Sequence, residues 1–108
     1  MFYIFKDVRG EFRFRLRAGN NEIILHSSEG YSSKQGCRGG IAAVKANASL
    51  DSRYSKYETS DSHYAFTLRA GNYEELARSE SYTTASARDE GVRDVKRIAP
   101  NASTTDLT

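Results

Sequence analysis

Between Glu11 and Arg17 the chain alternates without interruption: Phe12, Phe14 and Leu16 on one side, Arg13, Arg15 and Arg17 on the other. A period of two over that length predicts a strand with one buried and one wet face. The same apolar set returns as Tyr64, Phe66 and Leu68, with Ala65, Thr67 and Arg69 opposite. Phe2 to Lys6 and Arg53 to Thr59 are aromatic enough to be partner strands. Val8-Arg9-Gly10-Glu11 and Ser60-Asp61-Ser62-His63 supply the turns between. Third strands follow the turns Ala18-Gly19-Asn20-Asn21 and Ala70-Gly71-Asn72-Tyr73, built on Ile23-Ile24-Leu25 and Glu75-Leu76-Ala77. The first copy has one more residue between Glu22 and Tyr31 than the second has between the matching positions, which predicts a bulge or slipped register near His26.

Beyond this point the period changes. Cys37, Ile41, Val44 and Ala48 share one helical face, as do Arg88, Val92, Val95 and Ala99. Ser32 or Ser33, and Thr83 or Thr84, are suitable N-caps. Gly40 and Gly91 hold equivalent mid-helix positions at a cost of about 1 kcal/mol each relative to Ala, which implies close approach of helix and sheet or of the two helices. Pro100 stops the second helix, and 101–108 is a polar tail with only Leu107 to anchor it.

The chain is thus a tandem repeat: Phe14-Arg15-Leu16-Arg17-Ala18-Gly19-Asn20 recurs as Phe66-Thr67-Leu68-Arg69-Ala70-Gly71-Asn72. Each half would be a marginal folder alone, so the 108 residues form one domain of two repeats, about 1–50 and 53–100, followed by the tail. The pattern predicts an α+β fold. A duplicated β-β-β-α(-β) unit forms one antiparallel sheet, with two helices packed on one face about a pseudo-twofold.

Three blocks carry a resemblance to a known family: Phe12-Arg13-Phe14-Arg15-Leu16-Arg17-Ala18, Ser28-Glu29-Gly30-Tyr31-Ser32-Ser33-Lys34, and Gly40-Ile41-Ala42-Ala43-Val44-Lys45-Ala46-Asn47-Ala48. With them the chain resembles the YegP-like family, a domain of unknown function numbered 1508. The resemblance implies three strands, a helix and a further strand per unit, the last strands being exchanged as in a dimer fused into one chain. Arg53 to Thr59 would serve the junction, and Thr105-Asp106-Leu107 the final strand. It supplies no catalytic residues. Arg93-Asp94 and Arg97-Ile98 depart from the first copy's Ala42-Ala43 and Ala46-Asn47.

Sixteen basic residues against fourteen acidic leave a net charge of +2, which argues against a strongly basic nucleic-acid binder. The single Cys37 excludes an internal disulfide framework. Met1 to Phe5 is too short an apolar run for a membrane span, and a cytoplasmic, non-membrane protein is expected. His26 and His63 lie outside any metal-ligand spacing, Cys37 falls on the packed helical face, and no nucleophile elbow or phosphate-binding glycine loop is present. No catalytic, cofactor or metal residue is assigned.

Candidate binding residues are of two kinds. Arg13, Arg15 and Arg17 project together, with Arg9 in the preceding turn. They could meet phosphates beside Tyr3 or Phe5 or, as is favoured, form a solvated face paired to Glu22 or Glu11. Arg17/Arg69, Ser28/Ser79, Glu29/Glu80, Tyr31/Tyr82 and Lys45/Lys96 recur in both copies, as two equivalent anion or protein patches or as structural corners. The resulting expectation is a non-catalytic binding or accessory module, monomeric because the second copy fills a partner's place. Its partner would be a protein or small ligand; the alternative is weak single-stranded nucleic-acid binding through the arginine face.

Overall fold

The computed structural model describes residues 1–108. Each repeat opens with three strands. They are β1 (Phe2–Lys6), β2 (Phe12–Arg17) and β3 (Ile23–Ser27) in the first, β4 (Tyr54–Glu58), β5 (Tyr64–Arg69) and β6 (Glu75–Arg78) in the second. The helices are α1 (Lys34–Asn47) and α2 (Ala85–Ile98), and a short β7 (Thr104–Asp106) closes the chain. One seven-stranded sheet results, ordered β4-β5-β6-β3-β2-β1-β7. The repeats join at its middle, where His26 pairs with Arg78 and Ser27 with Ala77.

The predicted architecture stands, with one refinement: β7 lies parallel to β1, so the sheet is mostly rather than wholly antiparallel. This strand is the exchanged one, carried from the end of the second repeat to the first repeat's outer edge. The first repeat has no such strand to return, because α1 runs through a 3₁₀ turn at Asp51–Arg53 straight into β4. The tail is held otherwise than the sequence suggested. Leu107 is mostly exposed; backbone bonds Phe2 N–H to Ser103 O (2.8 Å) and Leu107 N–H to Ile4 O (2.8 Å) hold it instead. The Asp106 carboxylate adds an ion pair to Lys34 Nζ at 3.1 Å.

Both helices begin where a hydroxyl can take an orphan amide: Ser33 Oγ accepts from Gly36 N–H and Thr84 Oγ1 from Ala87 N–H, each at 3.0 Å. Their apolar faces meet Phe2, Ile4, Phe14, Leu16, Phe66 and Leu68 in one continuous cluster drawn from both repeats. Neither half owns a core of its own, which is the mutual burial that its short length requires. The opposite face of the sheet is left without a helix.

The close approach at the mid-helix glycines is to a tyrosine. A Cβ on Gly40 would come within 2.3 Å of Tyr31 Oη and 3.2 Å of Phe14; on Gly91, within 2.5 Å of Tyr82 Oη and 3.3 Å of Phe66. Each tyrosine is wedged between helix and sheet, and only a residue without a side chain leaves it room.

The expected irregularity near His26 is present, with Ile24 skipped between the Leu16–Leu25 and Arg17–Ile23 pairs, but its cause needs correction. The irregularity lies between Leu16 and Arg17, and it recurs between Leu68 and Arg69, so it belongs to the shared unit. Ser27 Oγ accepts from Phe14 N–H (3.2 Å) as Ser79 Oγ does from Phe66 N–H (2.9 Å), which makes Ser27 rather than Ser28 the structural counterpart of Ser79. The additional residue therefore falls after the strand, where Ser28-Glu29-Gly30 stands opposite Glu80-Ser81. A loop absorbs it without disturbing a ladder.

Candidate functional site: the uncovered sheet face

Strand alternation carries Arg13, Arg15 and Arg17 onto the face that no helix covers. Cross-strand pairing sets a row across it: Tyr3 opposite Arg15, Arg15 opposite His26, His26 opposite Arg78, Arg78 opposite Thr67. The three arginines are half-buried and each is held differently. Arg13 Nε donates to Asp7 Oδ2 at 2.7 Å. The guanidinium and two backbone amides, of Glu11 and Arg9, hold the Asp7 carboxyl below its ordinary range. The pairing with Glu22 or Glu11 that the sequence suggested does not form, because the hairpin turn places Asp7 nearer.

Arg15 has no carboxylate partner. Its guanidinium lies 4.1 Å from the centroid of Phe5, and its Nε is buried without a hydrogen bond, so the ring rather than an acid positions it. Arg17 donates from Nη1 to the Asn21 carbonyl at 2.8 Å and lies 6.0 Å from the Tyr3 ring. Arg9 stays exposed in the turn. Elsewhere on the face Arg78 Nε is paired with Glu75 at 2.6 Å, and His26 Nε2 shares a hydrogen bond with Glu80 at 3.0 Å.

The second copy presents a flatter surface. Ala65 and Thr67 replace Arg13 and Arg15, and both are buried between taller neighbours, with Tyr57 across from Ala65 and Arg78 across from Thr67.

The recurring pairs separate into fold and surface. Arg69 Nη1 donates to Tyr73 O at 3.0 Å, repeating the Arg17–Asn21 contact. Asn21 and Tyr73 have φ of 67° and 69°, so each arginine braces a turn whose backbone is left-handed. Tyr31 and Tyr82 are the glycine wedges, and burial pushes the Tyr31 hydroxyl up to about 12. Lys45 lies 5.9 Å from the Phe2 ring and Lys96 5.7 Å from Tyr54, at matching places on the helix side. Tyr31, Tyr82, Lys45 and Lys96 therefore do not join the arginine face. Of the acidic pair, Glu80 meets His26 while Glu29 is exposed.

Cys37 is buried, and desolvation raises its thiol to about 11, which keeps it protonated and a poor nucleophile. His63 Nδ1 lies 3.3 Å from Asp61 within its own turn. No group of three or more His, Cys, Asp or Glu side chains is placed to hold a metal ion, and no helix is long and apolar enough to cross a membrane.

The sequence reading missed Asp7, which both caps the hairpin turn and neutralises Arg13. The signal available was an acid at the start of the hairpin turn, opposite Glu11 and diagonal to the arginine one pleat further along β2.

The family model described as Domain of unknown function (DUF1508) matches residues 7–55 and again 60–106. The chain is 45% identical over 101 residues to "UPF0339 protein in ptx operon 5'region" of Stutzerimonas stutzeri, covering 94% of this chain and 90% of the relative. It is 37% identical over 107 residues to "UPF0339 protein YegP" of Escherichia coli K12, covering 99% and 96%. The solution structure of a UPF0339 protein from Shewanella oneidensis matches with a TM-score of 0.92 at 34% identity, over 99% of this chain and 90% of that one. The solution structure of the E. coli protein of unknown function yegP matches equally well, with a TM-score of 0.92 at 37% identity over 99% and 91%. With both of its units accounted for in order, the chain belongs to the DUF1508 family, in the two-repeat form.

Proposed function

We propose that this chain is a non-catalytic accessory module that recognises a protein partner through the uncovered face of its first repeat. The observation that carries the reading is the Arg15–Phe5 stack at the centre of that face, a charged plane on an aromatic plane with no acid to quench it. Arginine and aromatic side chains are the residues that most often anchor protein interfaces, and a stacked guanidinium keeps its donors free at little entropic cost. Tyr3 and Arg17 extend the patch. The matched pairs around it (Arg13 with Asp7, Arg78 with Glu75, His26 with Glu80) leave little net positive potential for tracking a phosphate backbone. They suit a polar rim. A cytoplasmic monomer fits this reading, since the second repeat already occupies the place of a partner subunit.

The test compares crosslinked partners of the wild-type chain with those of Phe5→Ala and Arg15→Glu. Loss of the same partner in both, with retention in the helix-side variant Arg93→Glu, supports the reading. Localised, salt-sensitive amide shifts at Arg13 to Arg17 on adding a mixed-sequence single-stranded oligonucleotide would replace it with nucleic-acid binding.

A further inference from the structure

The turn that follows β5 closes over a cavity of about 310 Å³ lined by Ser52, Arg53, Ser55, Arg69, Gly71 and Tyr73 among others, with no carboxylate in its wall. Two guanidinium groups face it, and neither is spent on an acid. Arg53 is fixed on two sides, its Nε donating to Asn47 Oδ1 at 2.9 Å and its Nη1 to Ser52 Oγ at 3.1 Å. The remaining Nη2 lies against Gly71, where a Cβ would stand 3.2 Å away. Arg69 uses Nη1 on the Tyr73 carbonyl, and Glu75, its cross-strand partner, has its carboxylate on Arg78 at 2.6 Å. Two forks held in place with spare donors, beside two serine hydroxyls, form a receptor for a tetrahedral oxyanion.

The first repeat supplies an internal control. The corresponding turn borders a cavity of about 480 Å³ lined by Tyr3, Arg17, Gly19, Asn21 and Arg97 among others. There the second cation, Arg97, is already paired with Asp94 at 3.1 Å, and no Cβ on Gly19 would touch anything. The second repeat therefore has two arginines without an ion pair at a place where the first has one, Arg17, its other cation being bound to Asp94. It also places Tyr73, at φ 69° and 80% exposed, where the first has Asn21. Asparagine tolerates that backbone, whereas a bulky tyrosine there is costly for the fold, and its ring stands exposed at the wall of the cavity.

We infer that the Arg53–Arg69 cavity is a binding site for a small phosphomonoester, the phosphate held by the two guanidinium groups and a planar organic group lying against Tyr73. The site is separate from the Arg15 face, so either can fail without the other.

The experiment is a titration of the isotope-labelled full chain with inorganic phosphate, phenyl phosphate and acetate at matched ionic strength. Saturable amide shifts at Arg53, Gly71 and Tyr73 are expected with both phosphates, and phenyl phosphate should bind about threefold tighter or better. Arg53→Gln and Arg69→Gln should each weaken binding about tenfold or more. Tyr73→Ala should remove only the phenyl advantage. Arg17→Gln, which loses the same kind of turn brace, should change affinity less than about twofold. Gly71→Ala keeps both charges but displaces the Arg53 fork, and should weaken binding even if Arg53→Gln disturbs Asn47. Equal shifts with acetate, unchanged affinity in Arg69→Gln and Gly71→Ala, or shifts centred on Arg97 would overturn the assignment.

Discussion

Ile4 in β1 and Lys56 in β4 sit at the same point of the repeat, opposite Phe14 and Phe66 respectively. Ile4 is completely buried; Lys56 is exposed and reaches Asp89 Oδ1 at 3.0 Å. The difference comes from what lies beyond each strand. β7 covers the outer edge of β1, so β1 is an interior strand and takes an apolar residue. β4 ends the sheet, and an open edge favours charge, which discourages pairing with another chain. The helices follow suit, with Arg38 on the β7 side meeting Asp106 at 3.6 Å, and Asp89 in the corresponding place on α2 meeting Lys56. One unit thus tolerates two chemistries at its margin while its centre, the Tyr–Gly wedge and the braced turn, stays constant.

Exchanging the marginal residues is the severest test of that contrast. Ile4→Lys buries an unpaired charge and should cost more than about 4 kcal/mol, a large share of the roughly 5–15 kcal/mol that holds an ordinary domain together. Lys56→Ile should change stability by less than about 1 kcal/mol in urea melts, since it removes only an exposed ion pair, and should instead promote concentration-dependent self-association. Equal destabilisation by the two would abolish the distinction between edge and interior. The wedge should behave alike in both copies. Gly40→Ala and Gly91→Ala each force a methyl into a tyrosine ring, an overpacking cost of about 1–3 kcal/mol set against about 1 kcal/mol of helix propensity gained. A net loss is expected in both, slightly larger at Gly40, and smaller in a Tyr31→Ala background.

These margins also mark what could be read along the chain. Alternation in Phe12 to Arg17 and helical spacing in Cys37 to Ala48 reflect burial, which sequence records directly, so the strands, helices and caps at Ser33 and Thr84 were legible. The direction of β7 was not, because three residues carry no period and parallel pairing with β1 depends on where α2 delivers the chain. Matching Ser28 with Ser79 by residue identity also failed. Hydrogen bonding to Phe14 and Phe66 selects Ser27, and adjacent serines conceal a loop insertion. On the candidate face, the shared orientation of Arg13, Arg15 and Arg17 was visible, whereas the acid that quenches Arg13 and the ring that carries Arg15 required the hairpin register.

Acid should separate the two edges. The Thr108 hydroxyl and amide, with Lys34, hold the Asp106 carboxyl well below the ordinary value of 3.8. Its contribution is therefore present above that value and is lost as pH falls through the depressed one. On lowering the pH below about 4, amide exchange at Phe2 and Leu107, whose bonds tie β7 to β1, should accelerate before exchange within the β2–β3 ladder. Asp106→Asn should produce the same loosening at neutral pH. If β7 stays protected in both, its backbone bonds alone suffice and the carboxylate is incidental.

The smallest effect concerns the element the copies share most closely. Arg17→Gln and Arg69→Gln each remove one side-chain bond to a carbonyl at a left-handed residue, and each should cost about 0.5–1 kcal/mol. Their near equality is the informative part. Tyr73 is worse suited than Asn21 to positive φ, so a turn that relied on its own backbone preference would depend more heavily on Arg69 than on Arg17. Equal losses mean that the flanking ladder, with Ala18 N–H on Glu22 O and Ala70 N–H on Glu74 O at 2.8 Å in both copies, sets the turn and the arginine only braces it. A clearly larger loss for Arg69→Gln would show that the second copy keeps its exposed tyrosine in place through that one contact.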